Sequence, residues 1–75
     1  MSRMERIKVQ SSNLESVGYD LINKILEIGF YDGAVYHYFD VPPKVYKGLM
    51  EAGSKGTYHH RFIRKGFRYS QVTVI

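Results

Sequence analysis

A chain of 75 residues with 44% apolar content is one small domain, apolar enough to build a core and too apolar to be disordered. The absence of cysteine excludes a disulfide framework, a thiolate zinc site and a cysteine nucleophile, and no apolar run approaches the ~20 residues that cross a bilayer. The net charge of +4 is uneven: residues 1–40 carry four basic against six acidic side chains, whereas residues 41–75 carry seven basic side chains against Glu51 alone. A basic half of this kind predicts an acidic partner, nucleic acid first, although a lysine-rich solvated surface has the same composition. The opening stretch MSRMERIKVQ alternates charged and apolar residues and has no apolar signal region, so the expected location is the cytoplasm, with no membrane partner.

In chain order, Ile7 and Val9 alternate with Arg6 and Lys8, which predicts a short edge strand. Ser11-Ser12-Asn13 breaks it. Ser12-x-x-Glu15 has the spacing of a helix capping box, but Val17-x-Tyr19-x-Leu21 has period two and favours a strand from Glu15 to Asp20. Leu21 to Asn23 then turns the chain into a central hairpin, Leu26 to Phe39, LEIGFYDGAVYHYF.

Leu26, Ile28 and Phe30 share one face of the first hairpin strand. A two-residue Asp32-Gly33 turn would set Phe30 opposite Val35 and send Tyr36 and Tyr38 to the Glu27 side. A three-residue loop, with Gly33 left-handed in a bulge, sets Phe30 opposite Ala34, Tyr36 opposite Ile28 and Tyr38 opposite Leu26. The second register is preferred because it keeps His37 beside the polar face. It leaves Val35 and Phe39 on the reverse face, either under the N-terminal segment or in a contact surface.

Asp40-Val41-Pro42-Pro43 signals a helix start, with proline in the first turn and Asp40 at the favourable end of the dipole. Val45, Leu49 and Ala52, flanked by Tyr46 and Met50, form its apolar stripe. Gly48 within it implies a close approach, and Gly53 is the expected C-terminal cap. Ser54 caps a second, shorter helix in which Tyr58 and Phe62 point the same way and Arg61, Arg64 and Lys65 form a basic side. Gly66 ends it, and Phe67, Tyr69, Val72 and Val74 belong to a last extended segment that Ser70-Gln71 makes irregular. The expected fold is α+β: a mostly antiparallel sheet of three to four strands with two short helices on one face.

No catalytic signature is present: no Gly-x-Ser-x-Gly, no phosphate-binding glycine loop and no His-Glu-x-x-His. His59 and His60 are adjacent and diverge by about 100° on a helix, so they do not chelate one ion, and with His37 they read as surface residues. The carboxylates are scattered singly. Neither an enzyme, a cofactor nor a metal site is predicted.

Several separated motifs together resemble the KTSC domain. They are Val9-x-Ser11-Ser12 with Val17-Gly18-Tyr19-Asp20, Leu26-x-Ile28-x-Phe30, Gly33-x-Val35-Tyr36-x-Tyr38, Val41-Pro42 with Val45-Tyr46, Ala52-x-Ser54-x-Gly56-x-Tyr58, and Ile63-Arg64 with Tyr69. The resemblance covers about residues 7–72 and implies a single small α+β domain over 1–75. Such domains are found at the C-terminus of some lysyl-tRNA synthetases and as stand-alone bacterial or phage proteins. The family has no established function, and RNA binding is suggested for it. His59-His60 departs from the pattern, which has an aromatic followed by a polar amide residue there.

Tyr36 and Tyr38, the Tyr-x-Tyr of that resemblance, have two readings: core rings, or a platform on which unpaired bases stack. The preferred register turns them toward the helices and makes them structural. The expected nucleic-acid-binding set is therefore Lys55, Tyr58, Arg61, Arg64, Lys65, Arg68 and Tyr69, cations for phosphates interleaved with rings for bases. The leading function is nucleic-acid binding, RNA before DNA. The alternative is a protein-interaction module, motivated by Val35 and Phe39, that docks on a larger enzyme or on a second copy.

Overall fold

The computed structural model describes residues 4–72, so Val74 lies outside the described residues. The chain runs β1 (Ile7–Lys8), β2 (Leu14–Asp20), β3 (Ile25–Phe30), β4 (Val35–Tyr38), α1 (Pro43–Glu51), α2 (Lys55–Tyr58), a π-helical turn (His59–Ile63) continuous with α2, and β5 (Tyr69–Val72). All five strands pair antiparallel in chain order, with both helices inserted between β4 and β5. Among the described residues no helix is long and apolar enough to cross a membrane.

The turn chemistry at Asp32-Gly33 sets the central register. Gly33 is left-handed at φ 94°, which glycine adopts without steric cost. Its N–H donates to Phe30 O at 3.0 Å, the Phe30 N–H donates to Ala34 O at 2.9 Å, and Asp32 Oδ1 accepts from the Ala34 N–H at 2.9 Å. Ile28 therefore faces Tyr36 and Leu26 faces Tyr38, the register preferred from the sequence. It puts Leu26, Ile28 and Tyr38 in one buried cluster with Val17, Val41, Leu49 and Ile63.

The strand count is five rather than three to four. Ser70 and Gln71 do not make β5 irregular: they pair with His37 and Tyr36 in unbroken register. Both are exposed on an edge strand, where polar side chains cost nothing to solvate. A second difference lies in β2, which starts at Leu14 through a bulge at Glu15, between the Leu14–Phe30 and Ser16–Gly29 pairs. The extra residue moves Leu14 onto the core face of Val17, against strict alternation, and both are fully buried.

Gly48 has the close approach that a glycine inside α1 implied, since a Cβ there would run into the Tyr58 hydroxyl. Tyr46, on the same helix, stacks on Tyr19 with ring centroids 4.6 Å apart, and the Tyr19 hydroxyl donates to Val41 O at 2.5 Å. The expected glycine cap at Gly53 does not form. The helix ends on extended Ala52, whose N–H donates to Leu49 O, and Gly33 is the one described glycine with positive φ. The connection is too short for a left-handed cap, because Ser54 already caps α2 by accepting from the Thr57 N–H at 3.3 Å.

The reverse face of the sheet carries a polar tie. Arg6 lies over Gly18 and Gly29, its Nε donating to Ser16 Oγ at 2.8 Å and its Nη1 to Glu27 Oε2 at 2.6 Å. Glu27 Oε1 in turn lies 2.6 Å from His37 Nε2 on the neighbouring strand. Gly18→Ala tests this face. Its Cβ would stand 2.5 Å from Glu5 O, a main-chain atom that cannot swing aside. The expected loss is about 1–3 kcal/mol in urea denaturation, against almost none for Gly53→Ala, which has nothing within 4 Å. Equal midpoints for the two variants would count against the packing of Glu5 and Arg6, just before β1, over Gly18.

Candidate nucleic-acid interface

The side chains that leave the sheet toward the helices build more than a core. Tyr36 and Tyr38 alternate onto that face of β4, and the pairing of Tyr38 with Tyr69 brings a third tyrosine beside them. Tyr69 lies 5.8 Å from both neighbouring rings, and Phe30 meets Tyr36 edge-on at 5.8 Å. Tyr38 is 3% exposed, so it is core, whereas Tyr69 is 55% exposed and leaves much of its surface to solvent.

The opposing wall is the π-helical turn. The Arg64 N–H donates to His59 O at 2.8 Å, the i to i+5 bond that widens this turn. His59 and Ile63 consequently both point inward and are buried. His59 is thus not the surface residue that adjacency with His60 suggested. Its ring sits edge-on to Phe30 and Tyr38, each at 5.4 Å, and its Nε2 lies 2.7 Å from the Tyr38 hydroxyl. Burial, then the charges of Arg64 and His60, push the His59 imidazole down to about 4. Burial, with Tyr36 and Tyr69 adding to it, pushes the Tyr38 phenol up to about 12. The pair is neutral near pH 7 and satisfies itself, so it acts as a fixed wall rather than a proton donor. His60, the next residue, is exposed, with Arg64 Nη1 lying 3.4 Å from its Nδ1.

Between this wall and the tyrosines lies a cleft of about 370 Å³. Tyr36, Tyr38 and Tyr69 line its floor, His60 and Arg64 one rim, and Asn13 with Asp32 another part of its border. An adjoining hollow of about 310 Å³ shares Asn13, Gly56 and His60 and adds Arg61. Among the described residues no three His, Cys, Asp or Glu side chains converge as metal ligands.

The sequence-expected binding residues are only partly gathered here. Tyr69 and Arg64 line the cleft and Arg61 lines the adjoining hollow. Lys65 is exposed and lines neither. Lys55 is half-buried, with Nζ donating to Ala52 O at 3.2 Å. Tyr58 packs against Gly48 and, at 4.8 Å between centroids, against Phe62, so it fastens α2 to α1. Arg68 sits 5.2 Å above the Phe39 ring with its Nη2 3.7 Å from Asp40 Oδ2, away from the cleft.

Asn13, Asp32 and His59 escaped the sequence reading. The Tyr31 N–H donates to Asn13 O at 3.2 Å, and that bond, invisible in spacing, brings the β1–β2 connection beside the hairpin tip. The reverse-face patch proposed as a protein contact is small. Val35 is buried and Phe39 is half-covered by Arg68, whereas the apolar residues most exposed include Ile22 and Leu21 in the β2–β3 turn.

Residues 10–69 match the KTSC domain model. A protein of Stutzerimonas stutzeri is 41% identical over 70 residues, spanning 92% of this chain and 99% of its own. A lysine–tRNA ligase of Trichormus variabilis is 37% identical over 67 residues, 89% of this chain but only 12% of the ligase, so the match is one small segment of that enzyme. The crystal structure of a KTSC domain protein from Yersinia pestis superposes with a TM-score of 0.88 at 36% identity, over 95% of this chain and all of the other. A matching sequence model, full-length relatives and a superposable fold agree, and the chain belongs to the KTSC domain family.

Proposed function

We propose that the domain binds single-stranded nucleic acid, RNA rather than DNA, in the cleft between the tyrosine floor and the π-helical turn. The observation that carries this is the joint placement of Tyr36, Tyr69, His60 and Arg64 around one open cleft. Ring faces stack on any base, and a guanidinium donates two parallel hydrogen bonds to a phosphate. Arg61 in the adjoining hollow continues the cationic path along a strand. The choice of RNA rests on the relatives named as lysine–tRNA ligases, a segment of which this chain resembles. In this reading the domain is a binding module, not an enzyme, and needs no cofactor.

The test is a titration of a short fluorescent single-stranded RNA at increasing salt. The dissociation constant is expected to rise with salt, with a logarithmic slope of ~0.7 for each phosphate contacted. Arg64→Glu and Arg61→Glu should each weaken binding strongly at an unchanged melting temperature. Lys65→Glu and Arg68→Glu, outside both hollows, should act only through long-range charge and much more weakly. No binding at low salt would sink the proposal.

A further inference from the structure

The cleft carries one group that generic phosphate binding leaves unexplained. Asp32 is among its lining residues, and its carboxylate repels a nucleic-acid backbone. Its Oδ1 is held by the Ala34 N–H at 2.9 Å, which fixes the side chain, and no described residue bonds its Oδ2. Asn13, exposed like Asp32, lines the same cleft, with its O accepting from the Tyr31 N–H of that hairpin and its side-chain amide beside Gly56. A residue with a carboxylate and one with an amide therefore line the same cleft as Tyr36.

From this we infer that the cleft takes one unpaired guanine, its base over Tyr36, its Watson–Crick edge read by Asp32 and Asn13, and its phosphate at Arg64. The inference rests on the nucleic-acid reading above and specifies the ligand of that site. Guanine alone presents two adjacent parallel donors, N1–H and the N2 amine, with the O6 acceptor next to them. A carboxylate accepts both donors and an amide N–H serves O6. Adenine and cytosine offer one exocyclic donor beside a ring acceptor that repels a carboxylate. Uracil offers one N–H between two carbonyls.

The dimensions agree. Ala34, immediately before β4, and Tyr38, at its end, are four residues apart, ~13 Å at the usual strand rise. Asp32 lies beyond the Ala34 end, whereas Arg64 is bonded through its N–H to His59 O, and the His59 ring lies against the Tyr38 hydroxyl. One nucleotide, lying along the strand, reaches from a cation near Tyr38 toward an acceptor near Ala34.

The experiment measures binding of four fluorescent RNAs, each a uridine tract with a single central guanosine, adenosine, cytidine or uridine, to the intact protein and to Asp32→Asn. The substitution keeps an oxygen for the Ala34 N–H, and an unchanged melting temperature verifies that the hairpin is retained. The guanosine RNA is expected to bind roughly tenfold or more tightly than the others. In Asp32→Asn that preference should collapse, with the other three RNAs bound at least as well as before. Equal binding of all four, or a guanosine preference that survives Asp32→Asn, overturns the inference while leaving the nucleic-acid reading intact. Failure of all four RNAs to bind at low salt overturns both.

Discussion

Tyr38→Ala is expected to lower the unfolding free energy by about 3–5 kcal/mol, the range for truncating a large buried aromatic. A domain of this length has roughly 4–11 kcal/mol in total at typical stability per residue, so the variant should be largely unfolded at moderate temperature. The ring is 3% exposed and lies between His59, Tyr36 and Tyr69, so its removal opens a hole that three neighbours cannot all fill. Tyr38→Phe isolates the hydroxyl: it keeps the ring but leaves His59 Nε2 without its 2.7 Å partner, at an expected cost of about 1–3 kcal/mol. Tyr36→Ala, at a half-buried position, should cost less than Tyr38→Ala. Urea denaturation of the three variants checks the order, and a Tyr38→Ala protein as stable as its parent would contradict the core assignment.

Acid should destabilise the fold through His59. The imidazole has a folded pKa of about 4 against an ordinary value of 6.5, so between those values the unfolded chain binds a proton that the folded chain excludes. The stabilisation is fully present above 6.5 and is lost as pH falls toward about 4. The whole effect amounts to roughly 3 kcal/mol. Tyr38 imposes the opposite limit: its folded pKa of about 12 lies above the ordinary 10.0, so stability falls as pH rises between them. Asp20, lowered by hydrogen bonds from Asn23 first and Ile22 last, contributes in the same acid direction as its carboxylate protonates. His59→Gln keeps a hydrogen-bonding side chain without the titration. Thermal melts across the acid range should show a shallower slope for His59→Gln than for the parent, and identical slopes would remove His59 as the cause.

The sequence made the hairpin legible because local chemistry decides it. Gly33 admits a positive φ, Asp32 fixes the loop, and His37 belongs with Glu27, so one register satisfies all three. The same holds for Ser54 as a cap and for the close approach at Gly48. What stayed hidden depends on partners far along the chain. The inward turn of His59 follows from a widened helix packed on Phe30 and Tyr38, which no local spacing announces. The bulge at Glu15 breaks the alternation that reveals strands, and β5 is regular only because β4 templates it. The basic segment read as one surface because its residues are neighbours in sequence. In space, Arg64 turns to the cleft, Tyr58 to α1 and Arg68 to Phe39.

The order of strands has a consequence for when the cleft exists at all. The β1 to β4 meander closes through short loops, whereas β5 reaches β4 only after both helices have been laid down between them. That pairing has the largest sequence separation in the sheet and carries the greatest loop-closure entropy, so it belongs to the late, easily reopened part of the fold. Tyr69 is supplied by this strand and Arg64 by the segment leading to it. On loop-closure cost alone, the Tyr69 side of the cleft is expected to assemble late and to open early. A ligand held there would act as a clasp on the C-terminal strand, coupling occupancy to the pairing of β5 with β4.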